Sequence, residues 1–418
     1  MPINRKSTRA AQGAGTIRKK TVTRNGQEYT YWEARVTTGR DSGTGKQIQK
    51  SFTGKTQREV REKMQAAAVA VNENTYTEPS KLTVAQWLDI WIDGHCADKK
   101  YLTIKHYKST ADTHIKPALG NIRVSDLTPL HIQQFYNSLM RKPAGGKQNA
   151  GKGTTLSAKT VRNIHGVLSK ALSVAVQMDI IPANPAGRVT LPKVEKKEIR
   201  PLTDADVKNF LRAVEGDEYA DILKIILFTG LRESEAIGLT WDCVDFSAGT
   251  LKINKQLQRR TIADGGYTFA PLKNSKTRVI TATPYVMQIL RLRRAAQIEE
   301  RFAAGELWQG WQSAAEQRTA LVFTKPNGEN INVTVLYNHV KRIFADIGIP
   351  DSRVHDLRHT FAVLSLQNGD SVKTVQQNLG HATAAFTLDV YGHVSEKMKQ
   401  ESAERMQQYI DSIAESSL

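Results

Sequence analysis

The sequence predicts a multidomain α+β protein, because a chain of 418 residues exceeds one ordinary domain and its pattern changes twice. The first part has strand-like runs divided by turn residues, and the next part has helical periodicity throughout. The third part mixes buried helices with short strand-like runs. We therefore expect a three-stranded sheet with one helix, an all-helical domain, and a mostly helical domain with a small antiparallel sheet.

The N-terminal sheet is predicted from three runs with strand-like composition, residues 16–24, 29–37 and 47–53. Asn25-Gly26 marks the first turn, and the glycines between residues 39 and 45 mark the second. A helix is expected to begin at Thr56, because Glu59 stands three residues later and completes a capping-box pattern. Three strands followed by one helix are therefore expected in the first 75 residues.

Basic residues are concentrated in this N-terminal part. Residues 1–70 contain 15 lysines and arginines against 5 acidic residues, a balance of +10 out of +18 for the whole chain. With a sequence pI of about 9.7, the chain is expected to bind a polyanion, most often nucleic acid. The sheet could read a DNA groove or bind phosphate without selectivity, and the composition favours the first interpretation.

Residues 80–182 are predicted to form a helical domain. Thr83 is a candidate cap for the first helix, residues 102–115 suggest a second, and Pro129 starts a third. Residues 157–177 have apolar positions at helical spacing, after a glycine- and lysine-rich loop. Prolines and charged residues then indicate a linker over residues 183–200.

The third region begins with Thr203 as a helix cap and has a buried helix over residues 222–228 that ends at Gly230. Strand-like runs are expected at residues 250–254, 267–272 and 278–281. Two pairs of side chains could take part in catalysis or could simply be solvated surface residues. They are Arg232 with Glu235 at a helix start, and Lys273 with Lys276 in the turn between the last two strand-like runs.

A histidine-rich stretch follows over residues 355–391. His355 and Arg358 are three apart at the start of a helix predicted over residues 360–366, and can point the same way. This pair is a plausible site for a phosphate oxygen, and Tyr391 could supply a nucleophilic oxygen. Each residue alone also fits a solvated helix face or a core aromatic.

Four motifs in order over about 160 residues give these pairs a specific meaning. They are Thr-Gly-Leu-Arg-x-x-Glu at 229–235, His-x-Leu-Arg-His at 355–359, Leu-Gly-His at 379–381, and Tyr391. In these motifs the chain resembles the tyrosine recombinase (phage and transposon integrase) family, in particular three-domain integrases of temperate phages and integrative conjugative elements. The resemblance implies a site-specific recombinase that integrates and excises a mobile element.

The resemblance assigns catalysis to Arg232, Lys273, His355, Arg358, His381 and Tyr391. The two arginines would clamp the scissile phosphate, and Tyr391 would attack it to form a 3′-phosphotyrosine. Lys273 would protonate the leaving 5′ oxygen, with Lys276 as the close rival. His355 would act as the base, His381 would hydrogen-bond the phosphate, and Glu235 would support the site. Neither metal nor ATP is required, and no Gly-rich nucleotide loop is evident.

The resemblance also implies an organisation. The expected parts are an arm-type DNA-binding domain (1–75), a core-binding domain (80–182), a linker (183–200), a catalytic domain (201–394) and a tail helix (395–418). The expected partners are double-stranded DNA with core and arm-type sites, a homotetramer in the synaptic complex, and an excisionase or DNA-bending accessory protein. The tail, with a stripe at Met398, Met406, Tyr409 and Ile413, would dock on a neighbouring protomer or pack in cis.

Composition points to a reducing compartment, and the resemblance implies the cytoplasm of a bacterial host. Cys96 and Cys243 form no pair motif, which fits a reducing compartment, and no apolar run follows the basic N-terminus. Two other functions remain open at this point: a DNA-binding regulator without strand transfer, and a relaxing type IB topoisomerase. The complete set of candidate catalytic residues favours a recombinase over a regulator, because a binding role needs no nucleophile.

Overall fold

The computed structural model describes residues 16–24, 26–40, 44–72, 81–141, 155–195, 200–261, 266–272, 276–380 and 395–415. The chain divides into two compact units, Met1–Lys196 and Lys197–Leu418. The predicted multidomain α+β architecture is confirmed. Among the helices in these ranges, none combines the length and the apolar character needed to cross a membrane.

The N-terminal sheet consists of β1 (Thr16–Arg24), β2 (Gln27–Arg40) and β3 (Gln47–Gly54), antiparallel and in that order, followed by α1 (Gln57–Asn72). Helix α1 packs against β2, and Ala34, Val36 and Val60 are buried there. The predicted cap at Thr56 is present, but the Glu59 carboxylate accepts its reciprocal bond from the Lys55 N–H. The capping box is therefore displaced by one residue from the predicted pattern.

The helical domain contains the four predicted helices, α2 (Val84–His95), α3 (Tyr101–Thr110), α5 (Pro129–Arg141) and α6 (Ala158–Gln177), and a short helix, α4 (Lys116–Leu119), that was not predicted. A π-helical turn, Ala111–Ile115, joins α3 to α4, so the second predicted helix is longer and less regular than expected. Trp87 and Trp91 fill the centre of the core, and the Trp87 indole N–H donates to the Ala171 carbonyl at 2.9 Å. Thr83 caps α2 in a complete capping box with Gln86.

The proline-rich segment after α6 begins as part of the helical domain. The Asn184 amide donates to the Ser169 carbonyl at 2.9 Å, and Arg162 Nε donates to the Pro192 carbonyl at 2.7 Å. Composition alone predicted a linker over these residues, because it does not show that the prolines are held by neighbouring polar groups. The boundary between the two units lies a few residues further on, after Lys196.

The second unit is mostly helical and contains two small antiparallel sheets. Its helices are α7 (Asp204–Ala213), α8 (Ala220–Thr229), α9 (Glu233–Ala236), α10 (Pro284–Ala304), α11 (Ala314–Gln317), α12 (Val333–Asp346), α13 (Val354–Gln367), α14 (Val372–Leu379) and α15 (Ser395–Glu415). Its strands are β4 (Val244–Asp245), β5 (Thr250–Ile253), β6 (Lys255–Arg259), β7 (Tyr267–Pro271) and β8 (Arg278–Thr281). Strands β4, β5 and β8 form one sheet in that order, and β6 pairs with β7.

Helix α13 differs from its prediction in a way that matters for the site. It begins at Val354 rather than at residue 360, because the Asp356 carboxylate accepts the Arg353 backbone N–H at 2.8 Å and caps the helix. His355 and Arg358 therefore lie in its first two turns. Thr360 anchors the same helix by accepting the Leu202 backbone N–H at 2.9 Å.

Helix α8 ends at Gly230, which has a φ of 66°. A Cβ at this position would lie 2.4 Å from Phe361 Cδ1 and 2.7 Å from Leu379 Cδ2. Both the left-handed backbone and the close packing therefore require glycine. This approach brings the end of α8 against α13, which carries His355 and Arg358, and against α14.

Candidate active site

Arg232 is placed directly after the turn at Gly230, as the first residue before α9. Its Nη1 donates to Glu235 Oε1 at 2.7 Å, and its backbone N–H donates to Glu235 Oε2 at 3.0 Å. The Arg232 side chain remains 21% exposed. The guanidinium is thus fixed from one side by Glu235 and still accessible to a ligand.

Glu235 is a buried carboxylate held between two arginines. Arg278 donates to it through Nη2 at 2.6 Å and through Nη1 at 3.2 Å. Burial alone would raise the pKa of Glu235, but the hydrogen bonds and charge of Arg278, together with Arg232, lower it to about 2. Glu235 therefore stays ionised near neutral pH and can hold Arg232 in one orientation.

Arg358, on α13, is almost fully buried, with 2% of its surface exposed. Its Nη1 donates to the Gly230 carbonyl at 2.5 Å and its Nη2 to the Leu379 carbonyl at 2.6 Å. Arg232 Nη2 donates to the next carbonyl of the same turn, that of Gly380, at 3.4 Å. The two candidate arginines, 126 residues apart in the chain, therefore converge on the C-terminal turn of α14.

His355 is exposed, whereas Arg358 on the same helix is buried. Partial desolvation of the His355 ring, and then the charge of Arg358, lower the pKa of this imidazole below its usual range. The His359 ring packs against it edge-to-face, with centroids 4.7 Å apart. A neutral imidazole at the surface can accept a hydrogen bond or a proton, which suits the role expected for His355.

Three of the six predicted catalytic residues, Lys273, His381 and Tyr391, lie outside the described residues. The structure thus brings together Arg232, Arg358 and His355, and it places Glu235, the residue expected to support the site, in contact with Arg232. Lys276, the rival to Lys273, is exposed just before β8. These assignments remain predictions for the residues that the structure does not describe.

Arg278 is a site residue to which the sequence motifs assigned no role. Its side chain is 9% exposed and pairs with the carboxylate that positions Arg232. Its place at the start of a strand after a lysine-containing turn gave a weak signal, because basic residues are common there. Contact with Glu235, 43 residues earlier, could not be derived from local pattern.

The N-terminal sheet has a second feature of interest, on the face opposite α1. Glu33 in β2 is 6% exposed and accepts hydrogen bonds from Arg18 Nε and Nη2 at 2.9 and 2.7 Å. Lys20 and Arg35 lie 3.8 and 3.7 Å from the same carboxylate. The open face is therefore basic, with one acidic group that orders its neighbours.

Profiles of two families match this chain. The "Phage integrase family" matches residues 194–398, and the "Phage integrase, N-terminal SAM-like domain" matches residues 83–140. A "Tyrosine recombinase XerC-like" protein of Caldanaerobacter subterraneus subsp. tengcongensis is 26% identical over 405 residues, covering 93% of this chain and 98% of the relative. The "ICEBs1 integrase" of Bacillus subtilis is 23% identical, covering 91% of this chain and 97% of the relative.

Two solved structures share the fold. The Tn1549 transposon integrase in complex with a circular intermediate DNA superposes with a TM-score of 0.63 at 24% identity, covering 78% of this chain and 100% of that chain. A lambda integrase tetramer bound to a Holliday junction gives a TM-score of 0.51 at 18% identity, covering 87% of this chain and 96% of that chain. These two structures show the shared fold. The matches to the two family profiles and to the relatives, together with the order of the motifs, show that the chain belongs to the phage integrase family of tyrosine recombinases.

Proposed function

We propose that this protein is a site-specific integrase that cuts and rejoins DNA through a 3′-phosphotyrosine intermediate, and so integrates and excises a mobile element. The observation that carries the proposal is the convergence of Arg232 and Arg358 on the C-terminal turn of α14, with His355 on the same helix as Arg358. The names of the relatives, which include integrases of phages, a transposon and an integrative element, support this function.

The two guanidinium groups suit phosphoryl transfer. A guanidinium presents several N–H donors in a plane and can bind two oxygens of one phosphate. In the pentacoordinate transition state the non-bridging oxygens gain charge, and fixed cations that need not reorganise stabilise it most. Glu235 and the turn of α14 provide that fixation by holding Arg232 and Arg358 before DNA binds.

The remaining roles rest on the motifs. Tyr391 attacks the scissile phosphate, His355 accepts the proton or orients the phosphate, and His381 donates a hydrogen bond to it. Lys273, or alternatively Lys276, protonates the 5′ oxygen that leaves. The phosphotyrosine conserves the energy of the broken bond, so rejoining needs no ATP, and the arginines supply the positive charge that a metal ion would otherwise provide.

Cleavage is therefore expected to proceed without a divalent metal and without nucleotide. The test incubates the full chain with a nicked duplex that carries the crossover sequence read from the junctions of the integrated element. In excess EDTA, a covalent protein–DNA band is expected on a denaturing gel at the rate seen with magnesium. Activity that disappears in EDTA and returns with magnesium would identify a metal-dependent nuclease and contradict the proposed function.

We further propose that the N-terminal domain, residues 1–75, binds an arm-type DNA sequence separate from the crossover site. Its open sheet face presents Arg18, Lys20 and Arg35, and the balance of +10 in residues 1–70 suits a phosphate partner. Residues 80–182 and 201–394 then bind the core site, so that one protein bridges a core site and an arm-type site. Four protomers would form the synaptic complex, with an excisionase or DNA-bending protein as an accessory partner.

Deleting residues 1–75 is expected to leave covalent cleavage of core-site DNA intact and to impair recombination between complete attachment sites. Footprinting over a whole attachment region should lose the arm-type protection and keep the core protection. The salt dependence of binding should also weaken, by nearly one unit of slope for each phosphate group that the shortened protein no longer binds. If the full-length protein protects only the core site, the domain is a non-selective electrostatic anchor.

A further inference from the structure

Three arginines donate to three consecutive backbone carbonyls at the end of α14. Arg278 Nε donates to Asn378 at 2.7 Å, Arg358 Nη2 to Leu379 at 2.6 Å, and Arg232 Nη2 to Gly380 at 3.4 Å. Carbonyls at a helix C-terminus lack helical partners and carry partial negative charge, so cations are favourable there. Two of these arginines are the candidate phosphate ligands, whereas the third has no role in the proposed chemistry.

Arg278 is connected to Arg232 by a second route. Its Nη1 and Nη2 bind both oxygens of Glu235, and these same oxygens bind the side chain and the backbone N–H of Arg232. The hydrogen bonds close a ring that runs from Arg232 through Glu235 and Arg278 to Asn378, and back through Gly380. Arg278 thus links β8 both to the loop that carries Arg232 and to the turn that precedes His381.

The contacts of Arg278 join it to Glu235 and to the C-terminal turn of α14. Its side chain is 9% exposed, and its Nε, Nη1 and Nη2 each donate within the protein. Gly380 has a φ of 64°, and a Cβ there would lie 3.1 Å from Arg278 Nη1, so the backbone is packed closely over the guanidinium. A group in this position acts on the reaction through its neighbours.

We infer that Arg278 is a positioning residue that sets Arg232 and the C-terminal turn of α14 in the geometry required for strand cleavage. This inference rests on the proposed function. Without Arg278, Glu235 would keep one cationic partner instead of two, and the Asn378 carbonyl would lose its donor. Arg232 could then swing with Glu235, and the turn before His381 would lose one of its three anchors.

The experiment measures single-turnover cleavage of nicked core-site DNA at saturating protein, together with core-site affinity and melting temperature. Arg278→Gln is expected to slow cleavage about 100-fold, the effect typical of a misplacement of about 1 Å, while core-site affinity stays unchanged. Arg278→Lys should recover part of the rate, because it keeps a charge beside Glu235 but cannot bond to Glu235 and Asn378 with the same planar geometry.

Arg293 provides a matched control. It also donates twice to a glutamate, Glu300, at 2.6 Å, and its Nε donates to a backbone carbonyl, that of Val322. Its side chain is similarly buried, at 12% exposure, and neither Glu300 nor Val322 belongs to the candidate site. Arg293→Gln should therefore lower the melting temperature, although by less than Arg278→Gln because Glu300 is more exposed than Glu235, and it should leave the cleavage rate of the folded protein unchanged.

A double-substitution test separates positioning from general stability. If Arg278 acts through Arg232, the slowing in Arg232→Lys/Arg278→Gln should be smaller than the product of the two single effects. In Arg232→Lys/Arg293→Gln, by contrast, the slowing should equal the product of the two single effects. If Arg278→Gln does not fold, Arg278→Gln/Glu235→Gln removes both charges of the buried pair and takes its place in the comparison.

The inference is overturned if Arg278→Gln, or its charge-neutral replacement, cleaves at the wild-type rate. It is also overturned if cleavage by Arg232→Lys/Arg278→Gln is slowed by the full product of the two single effects. Failure of the proposed function looks different, because the wild-type protein itself would then form no covalent complex with core-site DNA.

Discussion

Tyr391→Phe is expected to abolish covalent cleavage of core-site DNA while leaving DNA binding intact. The substitution removes only the hydroxyl oxygen that would form the phosphotyrosine bond, and phenylalanine fills nearly the same space. Because covalent catalysis depends entirely on its nucleophile, no residual rate through this intermediate is expected. Binding should persist, since the basic surfaces that bind phosphates are unchanged.

The measurement uses a nicked substrate from which the cut strand cannot be religated, so that covalent complexes accumulate and appear on a denaturing gel. Tyr409→Phe is the control, because Tyr409 on α15 is 62% exposed and loses the same atom. Only the control should form the covalent band, while both variants shift core-site DNA on a native gel. A covalent band that persists in Tyr391→Phe would assign the nucleophile to another residue.

Arg232→Lys is expected to slow cleavage by about 10²–10³-fold, the usual cost of losing one donor to a developing oxyanion, with little effect on affinity. Lysine can preserve an ion pair with Glu235, but its single ammonium cannot also reproduce the planar donors of the guanidinium. The substitution therefore mainly reduces the stabilisation of the transition state, in which the phosphate oxygens carry most charge.

Cleavage rate and core-site affinity must be measured on the same preparation of Arg232→Lys. Arg293→Lys makes the same exchange at a comparable ion pair with Glu300 and should cleave normally. If Arg232→Lys loses affinity and cleavage rate in equal proportion, Arg232 contributes to docking rather than to the reaction.

Local sequence signals predicted much of the fold. Thr83 and Thr203 each cap a helix, as their position before an apolar run indicated. Gly230 ends α8 in the left-handed conformation that glycine favours. These features depend on residues a few positions apart, so a single chain contains the information.

Features that depend on distant partners were missed or misplaced. The start of α13 was placed too late, because the His-Asp-Leu-Arg-His segment is polar and resembles a loop, although Asp356 caps the helix. Strand β6 was not predicted, since its Lys-Gln-Leu-Gln-Arg sequence has one apolar residue and gains its partner only from β7. Arg278 gains its role from residues 235 and 378, which no local pattern connects to it.

The two arginines of the candidate site, Arg232 and Arg358, differ in how much they contribute to folding. Arg358 joins the end of α8 to that of α14 through two carbonyls, so its loss would damage folding as well as catalysis. Arg232 is partly exposed and contributes less to the core. A descendant of this protein that kept only DNA binding would therefore be expected to lose Arg232 first and to retain Arg358. Among diverged relatives, an arginine equivalent to Arg232 should be the better indicator that strand transfer has been preserved.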